Sequence, residues 1–150
     1  MSGVRKAACV AISLASIDSL PRYFTRDDAD RLLAQIRPLM EEVQRRTLAF
    51  QQLQVGVDLI EGKRKGNGHL GQTKELEEKR KALAELRQSI ARLVEELQQL
   101  GVEVKDLSMG LIDFLAVRDG HEVYLCWRVG ESKVEWWHSL EGGFSARQRL

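Results

Sequence analysis

Residues 101–150 read GVEVKDLSMGLIDFLAVRDGHEVYLCWRVGESKVEWWHSLEGGFSARQRL, and this stretch decides the fold of the chain. Apolar and polar residues alternate in it between turn signals at 108–110, 119–120 and 130–131, a pattern that predicts antiparallel strands. Asp119-Gly120 is the strongest of these signals, because both central residues of a two-residue type I′ turn need a positive φ. The stretch therefore predicts a four-stranded antiparallel meander followed by a C-terminal arm.

The predicted register follows from the turn positions and from the need to gather apolar side chains on one face. The middle hairpin pairs Asp113 with Cys126. The first hairpin is predicted to pair Lys105 with Asp113, and the last to pair Cys126 with Glu135. One face of the sheet then carries the core, namely Val104, Ile112, Phe114, Ala116, Val123, Leu125, Trp127, Val134 and Trp136.

The opposite face of the predicted sheet carries a polar row across all four strands, with Leu115, Tyr124 and Trp137 beside it. This face is too apolar for ordinary solvated surface, so we expect the chain itself or a partner to cover it. The candidate site cluster on and around this face consists of Lys105, Asp113, Cys126, Arg128, Glu135, His138 and Arg147.

Thiol, imidazole and carboxylate groups occur together in this region, and all three types bind zinc. A metal site would use Asp113, Cys126, Glu131 and His138, with zinc or iron as the ion. However, the spacing matches no standard zinc motif, and the predicted register points His138 away from Cys126 unless the strand ends at Trp137 and the chain turns there. A buried cysteine beside an ion pair of Lys105 with Asp113 is the simpler expectation, and it requires no cofactor.

Nucleophilic catalysis by Cys126 is disfavoured on the same grounds. A reactive cysteine needs a neighbouring group that stabilises the thiolate. The predicted neighbours are carboxylates, which raise the pKa of a thiol. The sequence therefore favours a non-enzymatic protein over an enzyme without deciding between them.

Residues 25–100 predict two long helices that fold back on each other. Thr25 and Asp28 have the spacing of a capping box, and apolar residues then recur with a helical period to Val57. Pro38 predicts a bend. Residues 61–73, EGKRKGNGHLGQT, carry four glycines and predict the tip of the hairpin.

The second helix, predicted over 74–100, has leucine and isoleucine at alternating spacings of three and four from Leu83 onward, which is typical of a coiled coil. A two-helix arm of this length leaves apolar surface beyond what a small sheet can cover, so a homo-oligomer or a protein partner is expected. The predicted interaction surface comprises Ile90, Leu93, Leu97, Tyr124 and Trp137.

The basic tip of the hairpin, with Lys63, Arg64 and Lys65, allows a weaker alternative in which it contacts RNA together with Arg147. Residues 66–71 spell GxGxxG, but they follow a helix rather than a strand, so we interpret the match as chance. With a net charge of +1, no overall field favours nucleic acid.

Composition bounds the remaining possibilities. The 150 residues suit one domain, and two cysteines fit a reducing cytoplasm rather than a disulfide framework. Residues 1–22 are predicted to be a loosely ordered extension rather than a signal peptide. No stretch approaches the length of a membrane span. We expect a single α+β domain over 23–150, with the helical hairpin at 25–100 and the meander with its arm at 101–150.

The segments YFTRDDADRLLAQIRPLMEEV, GNGHL, KDLSMGLIDF, GHEVYLCWRVGE, WWH and GGFSARQ together resemble the bacterial domain-of-unknown-function family 2203, over about residues 23–150. Leu115 and Arg149 stand where the family pattern has proline. The resemblance implies no established activity. The residues that match its pattern are Lys105, Asp106, Gly110, Asp113, Phe114, Leu125, Cys126, Trp127, Gly130, Glu131, Trp137, His138, Gly143, Phe144 and Arg147.

The sequence thus leaves three hypotheses about function. The first is a non-enzymatic module for protein interaction or self-association. The second is a metal-binding protein or metal-dependent enzyme, and the third is RNA contact through the basic tip.

Overall fold

The computed structural model describes residues 20–67 and 73–150. It contains two helices, α1 (Arg26–Asn67) and α2 (Lys74–Gln99), followed by the strands β1 (Glu103–Asp106), β2 (Leu111–Arg118), β3 (His121–Arg128), β4 (Trp136–Ser139) and β5 (Gln148–Arg149). The α+β class is confirmed, but the sheet has five strands rather than four, because the C-terminal arm ends in β5. Most of the predicted extension, residues 1–19, lies outside the described residues.

Helix α1 begins where the sequence predicts it. The Thr25 N–H donates to Asp28 Oδ2 and the Asp28 N–H donates to Thr25 Oγ1, both at 3.1 Å, which is a capping box. The helix passes through Pro38 without interruption. It also continues to Asn67, so the prediction that the tip begins at residue 61 is wrong: a glycine costs a helix only about 1 kcal/mol, and lysine and arginine favour helix.

Helix α2 packs antiparallel against α1, as the contacts of Arg80 with Glu61 and of Arg87 with the Phe50 ring indicate. The buried residues of α2 recur at every seventh position: Leu76, Leu83, Ile90 and Leu97. Toward the end of the arm, Val57 forms a small core with Leu76 and Leu83 that is separate from the main core at the sheet.

The five strands form an antiparallel meander in the order β1-β2-β3-β4-β5. The register of β2 with β3 is confirmed, with Asp113 opposite Cys126. The helix base covers one face of the sheet and forms the main core with it. The fully buried members of this core include Ile36, Met40, Val43, Leu97, Ile112, Phe114, Trp127 and Val134.

The predicted register of the first hairpin is wrong. Glu103, rather than Lys105, lies opposite Asp113, and the register shifts between Val104 and Asp106. The loop is longer than the predicted three residues, and the Asp106 carboxylate accepts a hydrogen bond from the Met109 N–H at 2.7 Å. The extra residue at this irregularity moves Lys105 out of the polar row.

The predicted register of the last hairpin is also wrong, by one residue. Cys126 lies opposite Trp136 rather than Glu135, and residues 129–135 form a loop instead of extending the strands. Helix α1 holds this loop: Asp30 Oδ1 accepts from the Val134 N–H at 2.7 Å, and Arg37 donates to two loop carbonyls at 3.1 Å. These long-range contacts override the local turn signal.

Because side chains alternate along a strand, this one-residue shift exchanges the two faces of β4. Trp137 packs against the main core, partly buried, and does not lie on the second face. Trp136 occupies the second face instead. His138 moves to the face that carries Cys126, against the sequence prediction.

Candidate metal centre

Three metal-ligating side chains converge on the second face of the sheet, one from each of β2, β3 and β4. Asp113 and Cys126 are direct partners across β2 and β3, and His138 lies on the same face of β4. One ligand atom of each residue lies within 4.8 Å of the others. The exposed fractions are 2%, 0% and 2%, so the cluster is shielded from bulk water.

Both ring nitrogens of His138 face oxygen atoms. Nδ1 lies 2.7 Å from the Ser139 carbonyl oxygen, and Nε2 lies 3.0 Å from Asp113 Oδ2. A carbonyl only accepts hydrogen bonds, so Nδ1 carries a hydrogen. The Nε2 contact with a carboxylate oxygen therefore needs a proton, or another cation, between the two atoms.

The second carboxylate oxygen of Asp113, Oδ1, is buried and has no hydrogen-bond partner among the described residues. Leaving a buried acceptor unsatisfied costs about 1–3 kcal/mol, and more when the group is charged. The protonated thiol of Cys126 is the neighbouring donor, but an S–H is a weak hydrogen-bond donor, so the carboxylate is satisfied only weakly.

Burial raises the pKa of the Cys126 thiol far above its usual range, and the nearby Asp113 carboxylate raises it further. Arg147 acts in the opposite direction but does not reverse the shift. Without a bound cation the thiol is therefore protonated at neutral pH, which makes it a poor nucleophile. A metal ion displaces such a proton when it binds, because thiolate is the ligand form.

The C-terminal arm covers part of this face of the sheet, so the chain itself supplies some of the cover that the sequence predicts. The Arg147 guanidinium lies 4.9 Å from the ring centroids of both Trp136 and Phe144. It also donates to both carboxylate oxygens of Glu131, at 2.6 and 2.8 Å. Glu131 was a predicted metal ligand, but it lies outside the three-residue cluster and is held by Arg147.

The remaining members of the predicted cluster lie around the site rather than in it. Lys105 forms its ion pair with Glu103, not with Asp113. Arg128 lies over the Phe144 ring, at 5.5 Å from its centroid. Glu135 is near Arg149, with 3.8 Å between the charged groups.

Tyr124 stands beside the cluster, with its ring centroid 5.6 Å from that of His138. Its hydroxyl donates to Glu103 Oε1 at 3.0 Å. Burial, followed by this hydrogen bond, raises the pKa of Tyr124 above its usual value. The phenol is therefore neutral at physiological pH and serves as a wall of the site.

The predicted interaction residues of the helical arm face inward in the single chain. Ile90 and Leu97 are 8% and 0% exposed, and Leu93 packs partly buried on the main core. The sequence analysis missed the apolar residues that α1 leaves exposed, Leu48, Val55 and Leu59. Leu48 and Val55 are seven residues apart and Val55 and Leu59 are four apart, so the sequence already indicates that the three share one face of the helix.

The basic tip is only partly described. Lys63 and Lys65 lie exposed near the end of α1. The side chain of Arg64 and most of the GxGxxG match fall outside the described residues. Contact with RNA stays a prediction.

The fold and the site define a small α+β protein in which a helical hairpin covers one face of an antiparallel sheet and a buried Asp-Cys-His cluster lies on the other. Residues 22–150 match the family described as "Uncharacterized conserved protein (DUF2203)", and the chain belongs to that family. No curated protein and no solved structure matches the chain. Within residues 20–67 and 73–150, neither helix contains a stretch that is both long enough and apolar enough to cross a membrane.

Proposed function

We propose that this protein binds a divalent transition metal, with zinc as the best fit and iron as the alternative, through Asp113, Cys126 and His138. The observation that supports the proposal best is the convergence of three different ligand types within 4.8 Å in a buried site. Cysteine, histidine and aspartate are all zinc ligands, and the soft thiolate disfavours magnesium and calcium.

The hydrogen bonding around His138 fits a metal ligand, although a protonated His138 paired with Asp113 would make the same contacts. Its Nδ1–H donates to the Ser139 carbonyl, which orients Nε2 toward Asp113. A hydrogen bond from the second ring nitrogen to a carbonyl is the usual support of a metal-ligating histidine. A cation between Nε2 and Oδ2 also satisfies the buried carboxylate.

The spacing of His138 and Asp113 is compatible with zinc, and the Cys126 sulfur, within 4.8 Å of both ligand atoms, would have to move closer to complete the site. Two ligand atoms at about 2.0–2.1 Å from a tetrahedral zinc ion lie about 3.3 Å apart. The observed distance of 3.0 Å between Nε2 and Oδ2 needs an adjustment of only a few tenths of an ångström. An ion held by these three buried ligands would tie β2, β3 and β4 together. A tetrahedral ion would need a fourth ligand beyond these three residues, and we assign no reaction to it.

The experiment is metal analysis by mass spectrometry on protein purified without chelator or affinity metal. We expect about one zinc or iron ion per chain. Cys126→Ser and His138→Gln should each lower the metal content severalfold, whereas Cys9→Ser, which removes the other thiol, should leave it unchanged. Tryptophan fluorescence establishes that each variant is folded.

Cobalt titration of the metal-free protein gives a second readout. A thiolate ligand produces a sulfur-to-cobalt charge-transfer band, and Cys126→Ser should abolish it while the folded signal remains. Wild-type protein that is folded, contains no metal and gives no such band with cobalt would overturn the proposal. The three side chains would then form a hydrogen-bonded network only.

A second candidate function is self-association or protein docking through the helical arm. The observation that favours it is the exposure of Leu48, Val55 and Leu59 on α1, at 55%, 58% and 61%. Light scattering on the full chain tests it, with a mass above that of one chain as the expected result. For both candidates we propose a cytoplasmic location, because a free buried thiol at Cys126 suits a reducing compartment.

A further inference from the structure

The buried cluster has two flanks that differ in exposure. On the flank toward β5 lie Arg147 and Glu131, whose side chains are 9% and 19% exposed. On the flank toward β1 lie Lys105 and Glu103, whose side chains are 36% and 48% exposed. Because the three proposed ligands are almost fully buried, an ion can reach them only when a neighbouring side chain moves. The flank toward β1 is the less tightly packed of the two.

Tyr124 is the residue that closes this more exposed flank. It lies directly opposite His138 on β4 and Leu115 on β2, on the face of the sheet that carries the cluster. Its hydroxyl donates to Glu103 Oε1 at 3.0 Å, and Glu103 lies opposite Asp113 on the neighbouring strand. The side chain of Tyr124 therefore passes across β2 beside the Asp113 carboxylate and ends at the strand beyond it.

Lys105 also holds the Tyr124 ring in this position. Its ammonium group lies 4.6 Å from the ring centroid and forms an ion pair with the same Glu103 carboxylate. A cation over the face of an aromatic ring is attracted to the ring. The ring is thus held by a hydrogen bond at its tip and by a charge over its face, and neither contact involves a proposed metal ligand.

We infer that Tyr124 is a latch on the metal site, which rotates away to admit the ion and closes through its hydrogen bond to Glu103. This inference rests on the metal binding proposed above and adds the route by which the ion enters and leaves. Each flank carries a carboxylate paired with a cation. The exposed pair of Lys105 with Glu103 is weak, so an incoming ion can displace the lysine. The pair of Arg147 with Glu131 is buried, and breaking it would leave an uncompensated charge.

Rates of cobalt loading and release, followed through the sulfur-to-cobalt charge-transfer band, test the inference. Tyr124→Phe keeps the ring and removes the hydroxyl that donates to Glu103. We expect loading of metal-free protein and release into excess chelator each to become about tenfold faster, which is the effect of losing a hydrogen bond worth about 1.4 kcal/mol. The dissociation constant should stay nearly unchanged, because it is the ratio of the two rates and the latch opens for passage in either direction.

The matched control is Tyr23→Phe, which removes another hydrogen bond from a tyrosine hydroxyl to a glutamate. Tyr23 donates to Glu122 on β3, and neither residue belongs to the latch or to the proposed ligands. Loading and release in this variant should match the wild type. Glu103→Ala removes the acceptor of the latch hydrogen bond, so its release should also become faster. Combining it with Tyr124→Phe should accelerate release no further, because both changes remove the same bond.

The outcomes distinguish failure of the latch from failure of the metal site. Wild-type rates in folded Tyr124→Phe protein, with the cobalt band intact, would overturn the latch and leave metal binding standing. Faster release with unchanged loading would show that Tyr124 stabilises the bound ion instead of admitting it, and would also overturn the latch. A wild-type protein that gives no cobalt band would overturn the metal site and the latch together.

Discussion

At the scale of single residues, the site depends on which face of β4 carries His138. The pairing of Cys126 with Trp136 places His138 on the face of Asp113, where its Nε2 meets the carboxylate at 3.0 Å. Had Cys126 paired with Glu135, the imidazole would have pointed into the core. A shift of one residue in the register of β3 with β4 therefore decides whether the three side chains form a cluster that can bind a metal or leave Cys126 without His138.

The raised pKa of Cys126 predicts a pH dependence of stability in metal-free protein. The unfolded thiol has a pKa of about 8.5, and burial raises the folded value above it. Above pH 8.5 the folded state thus binds more protons than the unfolded state. This contribution to the free energy of unfolding is complete below that pH and is lost as the pH rises.

Chemical unfolding with chelator and reductant present checks this prediction. Between pH 8.5 and 9.5 we expect the free energy of unfolding to fall by about 1 kcal/mol through this residue. In Cys126→Ala that portion of the decline should be absent. Equal slopes in the two proteins over this range would show that the thiol does not stay protonated on folding.

At the scale of elements, the turns are held by close contacts as much as by their local conformation. Gly110, the last residue of the loop before β2, has a φ of 65°, and an added Cβ would clash with the Val129 side chain. Gly120, in the β2–β3 turn, has a φ of 78° and no atom within 4 Å of an added Cβ. Both glycines have a backbone conformation that only glycine adopts without strain, but they differ in the space around them.

Substitution of these glycines separates the two effects. Gly120→Ala should cost about 1–2 kcal/mol, the backbone strain alone. Gly110→Ala should cost a further 1–3 kcal/mol or so, because Val129 and the loop must move aside. Urea unfolding of both variants measures the difference, and equal losses would mean that the β3–β4 loop adapts freely.

At the scale of the whole molecule, the chain has two cores of unequal size. The main core joins the helix base to the sheet, while Val57, Leu76 and Leu83 form a small cluster toward the end of the arm. Stability follows the density of buried apolar contacts, so the far part of the arm should open at a lower free energy than the sheet.

Hydrogen exchange measured by mass spectrometry checks this difference in opening free energy. Two substitutions are compared, at residues of α2 that belong to the same seven-residue repeat of buried positions. Leu83→Ala should raise exchange in the far part of the arm and leave β2 and β3 protected. Leu97→Ala, in the main core, should lower protection throughout, since a buried leucine contributes about 2–5 kcal/mol. If Leu83→Ala deprotected the sheet equally, the two cores would form one cooperative unit.

The sequence by itself determined the α+β class, the capping box at Thr25 and Asp28, the heptad burial along α2 and the pairing of Asp113 with Cys126. These features depend on residues near one another in the chain, such as the Asp119-Gly120 turn. The same local signals named Asp113, Cys126 and His138 as candidate ligands without bringing all three together.

Only the tertiary structure decided the two outer registers, the fifth strand and hence the site. Residues 129–135 leave the sheet because Asp30 and Arg37 of α1 bind their backbone, and Asp30 is 104 positions from its partner Val134. Part of the polar face is covered because Arg147, from a later part of the chain than the first four strands, lies over the rings of Trp136 and Phe144. A turn signal read over a few residues contains no information about such distant donors and acceptors, so the face on which His138 lies was fixed by packing rather than by local sequence.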